Sequence, residues 1–133
     1  MTSKEEIEYH KIKGLISATL AAHIGEPNAV GMGELHEAVF GSPWENRVND
    51  TRRLRKYITR LRREGVPICS VTSSDGGGYY LPAGTSELVN YLRRSKVRAL
   101  KILSRVAKIQ KVSLPDLLGQ MRLEMEGNHG EAA

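Results

Sequence analysis

The strongest constraint on the fold is a change of hydrophobic period at Gly65. In RRLRKYITRLRREG (52–65), apolar residues recur every three or four positions, as on one side of an amphipathic helix. After it, PICSVTS alternates like a β-strand, SSDGGG is rich in turn residues, and GYYLP predicts a second short strand that ends at Pro82. This part of the chain is therefore predicted to form a helix followed directly by a β-hairpin.

Two further helices are predicted before this one. A capping box at Ser3 and apolar residues at helical spacing up to Gly25 predict a first helix at about 4–24. NAVGMG is predicted to be a loop, and GELHEAVFG a short second helix. The linker SPWENRVN then leads to the third helix, which is predicted to begin near Asn49 or Asp50, because either side chain is a suitable N-cap.

A long helix is predicted after the hairpin, at about 85–111, and a short amphipathic helix after Ser113. The apolar residues on one side of the long helix include Leu88, Leu92, Ala99, Leu103 and Val106. Its other side has a cationic stripe of Arg94, Arg98, Lys101, Arg105 and Lys108. The apolar side is expected to pack either on the core or on a second copy of the chain, which would make a homodimer.

Three helices followed by a two-stranded hairpin are the elements of a winged helix-turn-helix domain. The predicted fold class is therefore mainly α with a small β-hairpin, followed by a long C-terminal helix. The predicted segments are a winged helix-turn-helix domain at 1–84, a helical extension for packing or dimerisation at 85–126, and a disordered tail at 127–133.

The positive charge of the chain is concentrated in two blocks. Between Arg47 and Arg63 there are eight Arg or Lys residues and one acid, Asp50, and between Arg93 and Lys111 there are eight more and no acid. Clustered cations create a local field that a net charge of +5 conceals, and they indicate a polyanionic partner. The alternative is that acidic helices elsewhere in the chain fold against these blocks and neutralise them.

The third predicted helix has one apolar and one cationic face. The residues that share the apolar face are Leu54, Tyr57, Ile58 and Leu61, and those opposite are Arg52, Lys56, Thr59 and Arg63. A solvated surface is the simpler interpretation, but a helix stabilised for its own sake would place acids at i±4, and these are missing. An amphipathic helix of this kind fits the major groove of DNA, which is about 12 Å wide.

We therefore expect Asn49, Arg52 and Lys56 to contact base edges, because these residue types form the specific hydrogen bonds of the major groove. Phosphate contacts are expected from Arg53, Arg55, Arg60 and Arg63. The full set of predicted DNA-binding residues is Arg47, Asn49, Arg52, Arg53, Arg55, Lys56, Thr59, Arg60, Arg63, Ser73 and Ser74. Whether the cationic stripe of the long helix also contacts DNA, or only faces solvent, stays open.

The stretch RLRKYITRLRREGVPICSVTSSDGGGYYLP resembles the winged helix-turn-helix module of the biotin protein ligase/repressor family and of DeoR-like regulators. The matching residues are Leu54, Lys56, Ile58, Leu61, Gly65, Val66, Gly78, Tyr79, Leu81 and Pro82. The resemblance covers about residues 30–82 and implies a DNA-binding transcriptional regulator. The same stretch is also similar to response-regulator effector domains, but these usually have a β-sheet before their helices. The longer SPWENRVND linker and a wing tip without Lys or Arg depart from the family pattern.

Other functional classes have little support in the sequence. The four histidines are scattered and Cys69 is the single cysteine, so neither a metal site, a cofactor nor a nucleophile is predicted. The glycine run lacks the Lys-Ser/Thr of a phosphate-binding loop. No enzyme is predicted, no membrane-spanning segment is expected, and the charged N-terminus and single cysteine favour the cytoplasm.

The predicted function is sequence-selective binding of double-stranded DNA, as a transcriptional regulator, with a helix at about 49–64 in the major groove. The alternative is a winged-helix module without an operator, whose basic blocks dock an acidic protein or assemble a replication or RNA complex.

Overall fold

The computed structural model describes residues 3–73 and 76–132, and for Arg47, Ser73 and 128–132 it describes the backbone alone. The chain is mostly helical, with a small antiparallel sheet. Its elements are α1 (Lys4–Leu20), a 3₁₀ turn (Glu26–Asn28), β1 (Val30–Gly31), α2 (Met32–Phe40), α3 (Arg47–Arg63), β2 (Cys69–Ser73), β3 (Gly76–Tyr80), α4 (Thr85–Gln110) and α5 (Leu114–Ala132). Two compact units are present, Met1–Val89 and Asn90–Ala133, and the boundary between them falls within α4.

The core of the first unit is formed by one side of each of its first three helices, together with the sheet. Its buried apolar residues are Tyr9, Ile12, Ile16, Leu20, Val30, Leu35, Val39, Leu54, Ile58, Leu61 and Ile68. The predicted apolar face of α3 is confirmed, since Leu54, Ile58 and Leu61 are all at most 1% exposed. Cys69 is fully buried.

The first helix ends earlier than the sequence predicted, at Leu20 instead of about residue 24. The cause is a pairing of the following residues with the chain after β3. The amide of Gly25 donates to the carbonyl oxygen of Leu81 at 2.8 Å, and the amide of Leu81 donates to the carbonyl oxygen of His23 at 3.1 Å. At its other end, the predicted cap is confirmed, because the Ser3 hydroxyl accepts a hydrogen bond from the Glu6 amide.

The sheet has three strands in the order β1-β3-β2, so the prediction of a two-stranded hairpin was incomplete. Residues predicted as the loop NAVGMG include β1, in which Val30 pairs with Tyr79. The glycines predicted as a turn belong to β3, and close approach of the neighbouring strands explains two of them. A Cβ atom at Gly77 would lie 2.7 Å from the carbonyl oxygen of Val71, and one at Gly78 would lie 2.7 Å from that of Val30.

Helix α3 begins at Arg47, two to three residues before the predicted start. Its N-cap is Asn46, and neither Asn49 nor Asp50 has that role. The Asn46 side-chain oxygen accepts from the amides of Val48 and Asn49 at 3.0 and 3.1 Å. Asp50 instead reaches back and accepts from the Asn46 and Glu45 amides, and these hydrogen bonds lower the pKa of its carboxyl group.

The second unit consists of the rest of α4 and of α5. The chain leaves α4 through Lys111, whose φ of 60° lies in the left-handed region, and the amide of Val112 donates to the carbonyl oxygen of Ala107 at 3.0 Å. Helix α5 continues to Ala132, so most of the segment 127–133, predicted to be disordered, is helical, and Ala133 lies outside the described residues. Among the described helices, none is long and apolar enough to cross a membrane.

Candidate nucleic-acid interface

The outer face of α3 presents cations to solvent. Because Leu54, Ile58 and Leu61 hold the opposite side in the core, the side chains of Arg52, Lys56 and Arg63 are directed outward and exposed, and Thr59 lies among them. Within residues 3–73 and 76–132, no hydrogen bond or ion pair joins Arg52, Lys56 or Arg63 to another residue. We call Arg52, Lys56, Thr59 and Arg63 the outer face of α3.

The side of α3 that faces α1 is neutralised. Arg53 forms an ion pair with Glu8, and its guanidinium carbon lies 4.5 Å from the centre of the Phe40 ring. Arg60 forms an ion pair with Glu6 at 3.1 Å, with its guanidinium carbon 3.4 Å from the centre of the Tyr9 ring. These two arginines, predicted to contact phosphate, are thus held by acids and aromatic rings of the protein itself. Neutralisation by an acidic helix therefore applies to this side of α3.

The C-terminal end of α3 is fastened to α1 by Glu64. The Tyr9 hydroxyl donates to Glu64 Oε1 at 2.7 Å, and Lys13 Nζ lies 3.4 Å from the same oxygen. Burial, and secondly this hydrogen bond, raise the pKa of Tyr9 to about 12. The same hydrogen bond, helped by the charge of Lys13, lowers the pKa of Glu64. The contact keeps Tyr9 protonated and Glu64 charged at neutral pH, which fixes where the outer face points relative to α1.

On its other side, α3 borders the sheet across an open groove. Arg55 is exposed, lies in this groove with Thr72 and Tyr79, and donates from Nε to the carbonyl oxygen of Thr51 at 3.4 Å. Arg62, which was not among the predicted DNA-binding residues, donates from Nε to the carbonyl oxygen of Ile68 at 2.8 Å. Arg62 therefore holds the start of the sheet against α3, whereas the guanidinium of Arg55 remains accessible to a ligand.

The first turn of α3 contains one exposed residue that the sequence prediction missed. Val48 is 59% exposed on the same groove, next to Asn49, whose side chain is also exposed. The helical pattern alone gave no reason to select a valine within a cationic helix, although its position on the same side of α3 as Arg55 was calculable. Trp44, in the linker before α3, packs over the start of α2, where a Cβ atom at Gly33 would lie 3.2 Å from its ring.

The remaining predicted residues lie partly outside the described atoms. Arg47 is the first residue of α3 and Ser73 the last of β2, and only the backbone of each is described. Ser74 lies outside the described residues. In the second unit, the residues of the cationic stripe on α4 are all exposed; they are Arg94, Arg98, Lys101, Arg105 and Lys108.

Comparison with known proteins gives no match: no protein-family model, no curated protein and no solved structure is similar to this chain. In the part of the chain that the structure describes, no cluster of three His, Cys, Asp or Glu residues is arranged to hold a metal ion.

Proposed function

We propose that the protein is a winged helix-turn-helix protein that binds double-stranded DNA sequence-selectively and acts as a transcriptional regulator. The element order supports this assignment, because α2 and α3 are followed by the β2–β3 hairpin, and β1 completes the sheet beside β3. In this arrangement α3 enters the major groove and the β2–β3 hairpin is the wing.

The observation that supports DNA binding most strongly is the unequal treatment of the cations on α3. Where α3 faces α1, Arg53 and Arg60 have acidic partners. On the outer face, Arg52, Lys56 and Arg63 have no acidic partner among the described residues, although like charges on one helix repel each other. Binding of a polyanion would relieve the repulsion among the cations of the outer face.

The geometry suggests a division of roles on α3. Asn49 and Arg52 lie in its first two turns, where side chains of a major-groove helix reach base edges, and Lys56 follows one turn later. Arginine pairs with guanine and asparagine with adenine through two hydrogen bonds each. Arg55 and Arg63 are accessible and are assigned to phosphates, whereas Arg53 and Arg60 contribute less because they would first have to leave their ion pairs.

Two double variants with equal loss of charge test this proposal. Binding is measured by fluorescence anisotropy on a duplex selected from a random library, over a salt series. Arg52→Ala with Lys56→Ala is expected to weaken binding by about 10-fold or more, since each specific base contact contributes about 1–3 kcal/mol. Arg53→Ala with Arg60→Ala removes the same charge from the same helix and is expected to retain affinity within a few-fold.

The salt dependence separates specific from general effects. The wild-type affinity is expected to fall by about 10³-fold or more between 50 and 200 mM salt if six or more phosphates are neutralised. Equal losses in the two double variants would mean that charge alone determines binding and would contradict the assigned role of the outer face. Absence of duplex binding at low salt would refute DNA binding and favour a protein- or RNA-complex module.

A further inference from the structure

The second unit buries too little apolar surface to be stable on its own. Among residues 90–127, only Ala107 and Leu117 are buried. Isolated helices are marginal in water, and segments of about 40 residues rarely form an independent core. A further surface must therefore cover these helices for them to persist.

Large apolar side chains on both helices are exposed to solvent. On one side of α4 they include Leu92 at 44% and Leu100 at 47% exposure, and on one side of α5 Leu118 at 42% and Met125 at 67%. We call these four residues the C-terminal apolar surface. Single exposed apolar residues are ordinary, but several on two consecutive helices mark an interaction surface.

The two helices have opposite charge, which indicates what covers this surface. Residues 90–111 contain eight Arg or Lys residues and no acid. Residues 112–132 contain four acids and one arginine, a balance of −3. The acids are Asp116, Glu124, Glu126 and Glu131, and Glu126 forms an ion pair with Arg122 within α5 at 3.2 Å. A surface that offers both a cationic and an anionic helix is complementary to a copy of itself in which the order is reversed.

We propose that the C-terminal apolar surface packs against the same surface of a second copy, so that the protein is a homodimer. In this dimer, α5 of one copy lies against α4 of the other, and each interface is made twice, as two-fold symmetry requires. The apolar residues become the buried centre, and the exposed acids Asp116 and Glu124 of α5 face Lys96, which lies one helical turn from both Leu92 and Leu100 on α4. This inference is independent of the proposed DNA binding.

An anionic lipid surface would also suit an amphipathic cationic helix such as α4. The acids of α5 argue against a lipid surface. If Leu118 and Met125 of α5 entered the lipid, the neighbouring acids would lie beside the lipid phosphates and be repelled by them. A self-complementary pairing satisfies both helices, whereas a lipid surface satisfies only one.

Sedimentation equilibrium of the full chain without DNA tests the proposal. At about 10 μM protein, wild type is expected to show twice the 14.8 kDa chain mass. Leu92→Glu with Leu100→Glu is expected to be monomeric. Both residues are exposed in the single chain, so these changes remove no buried contact within it, and the carboxylate introduced at position 92 would have Lys96 at i+4. Because the C-terminal helices depend on the partner copy, the monomer is expected to lose part of its helical circular dichroism. Ile7→Glu, at a site 60% exposed on α1, is the matched control and should remain dimeric.

A further variant tests the arrangement of the helices. Glu124→Lys replaces an acid of α5 by a cation and leaves the Arg122–Glu126 ion pair intact, and it is expected to weaken the dimer at least about 10-fold, because α5 would then repel α4 of the other copy. A dimer of unchanged affinity would contradict the crossed pairing. A wild-type monomer at this concentration would overturn the proposal, and a monomer that co-sediments with phosphatidylserine vesicles would assign the surface to lipid instead.

Discussion

Removing the hydroxyl of Tyr9 tests the contact that fastens α3 to α1. In Tyr9→Phe the ring remains in place under the Arg60 guanidinium, and only the hydrogen bond to Glu64 is lost. Hydrogen bonds to charged groups contribute about 1.5–3 kcal/mol. Glu64 keeps Lys13 as a partner and is partly exposed, so water replaces some of the lost interaction. We therefore expect the free energy of unfolding to fall by about 1.5 kcal/mol.

Urea unfolding at pH 7, followed by circular dichroism, measures this loss as a shift of the midpoint by roughly 0.5–1.5 M. Tyr57→Phe is a matched control, since Tyr57 is a half-buried tyrosine on α3 whose hydroxyl has no partner among the described residues. A double-mutant cycle of Tyr9→Phe with Glu64→Gln should give a coupling larger than the roughly 0.3–0.5 kcal/mol within which independent sites add. Equal midpoints for the two tyrosine variants, or no coupling, would show that the hydrogen bond between Tyr9 and Glu64 does not stabilise the fold.

The pH dependence provides a second test of the same contact. The folded pKa of Tyr9, at about 12, lies above its ordinary value of 10.0. Folding therefore favours the protonated phenol, and this contribution is complete below pH 10 and lost as the pH rises through 12. Tyr9→Phe should remove that alkaline loss, and wild type should show one tyrosine that ionises about two pH units later than normal, measured by absorbance near 295 nm. A normal titration of all tyrosines would contradict the burial of Tyr9.

Three further predictions concern other parts of the first unit. If α3 lies in the major groove, exposed Val48 is placed to contact a thymine methyl group. Replacing thymine by uracil in a selected site should then weaken binding of wild type and have little effect on binding of Val48→Ala. Equal effects on both proteins would exclude this contact. Gly78→Ala is expected to destabilise the protein by more than about 1 kcal/mol in thermal unfolding, because the added Cβ would collide with the carbonyl oxygen of Val30. Gly14→Ala, in open space on α1, should stabilise the protein by about 1 kcal/mol in the same measurement. Because the pKa of Asp50 is lowered in the folded state, this carboxylate stabilises the protein above pH 3.8, and the contribution is lost as the pH falls through the folded pKa. Asp50→Asn should therefore reduce the dependence of the unfolding free energy on acidic pH. An unchanged dependence would contradict the hydrogen bonds from Asp50 to the Asn46 and Glu45 amides.

The helices were largely predictable from the sequence because their signals are local. The apolar spacing of Leu54, Ile58 and Leu61 is sufficient to define the buried side of α3, and therefore its outer face. The two residues of β1 were not predictable, since so short a strand has no period and exists only because β3 pairs with it. The start of α3 was misplaced because Asn46, Asn49 and Asp50 are all suitable caps, and hydrogen bonds of the folded linker select among them.

The charge of the candidate site was predictable only in part. The sequence identified every cation on α3, but the partners of Arg53 and Arg60 lie on α1, more than 40 residues earlier in the chain. Such pairs depend on how two helices pack, which spacing within one helix does not determine. The sequence therefore predicted a wider set of accessible arginines than the folded first unit presents.

The strand β3 has a consequence for how the gene can vary. Every single-base change in a glycine codon that replaces the amino acid introduces a residue with a Cβ atom. At Gly77 and Gly78 that atom would lie 2.7 Å from a backbone oxygen of the neighbouring strand. That oxygen can move away only if β1 or β2 gives up its pairing with β3. These two adjacent codons are thus expected to tolerate silent changes alone, whereas the codon of Gly14, in open space, is free to drift.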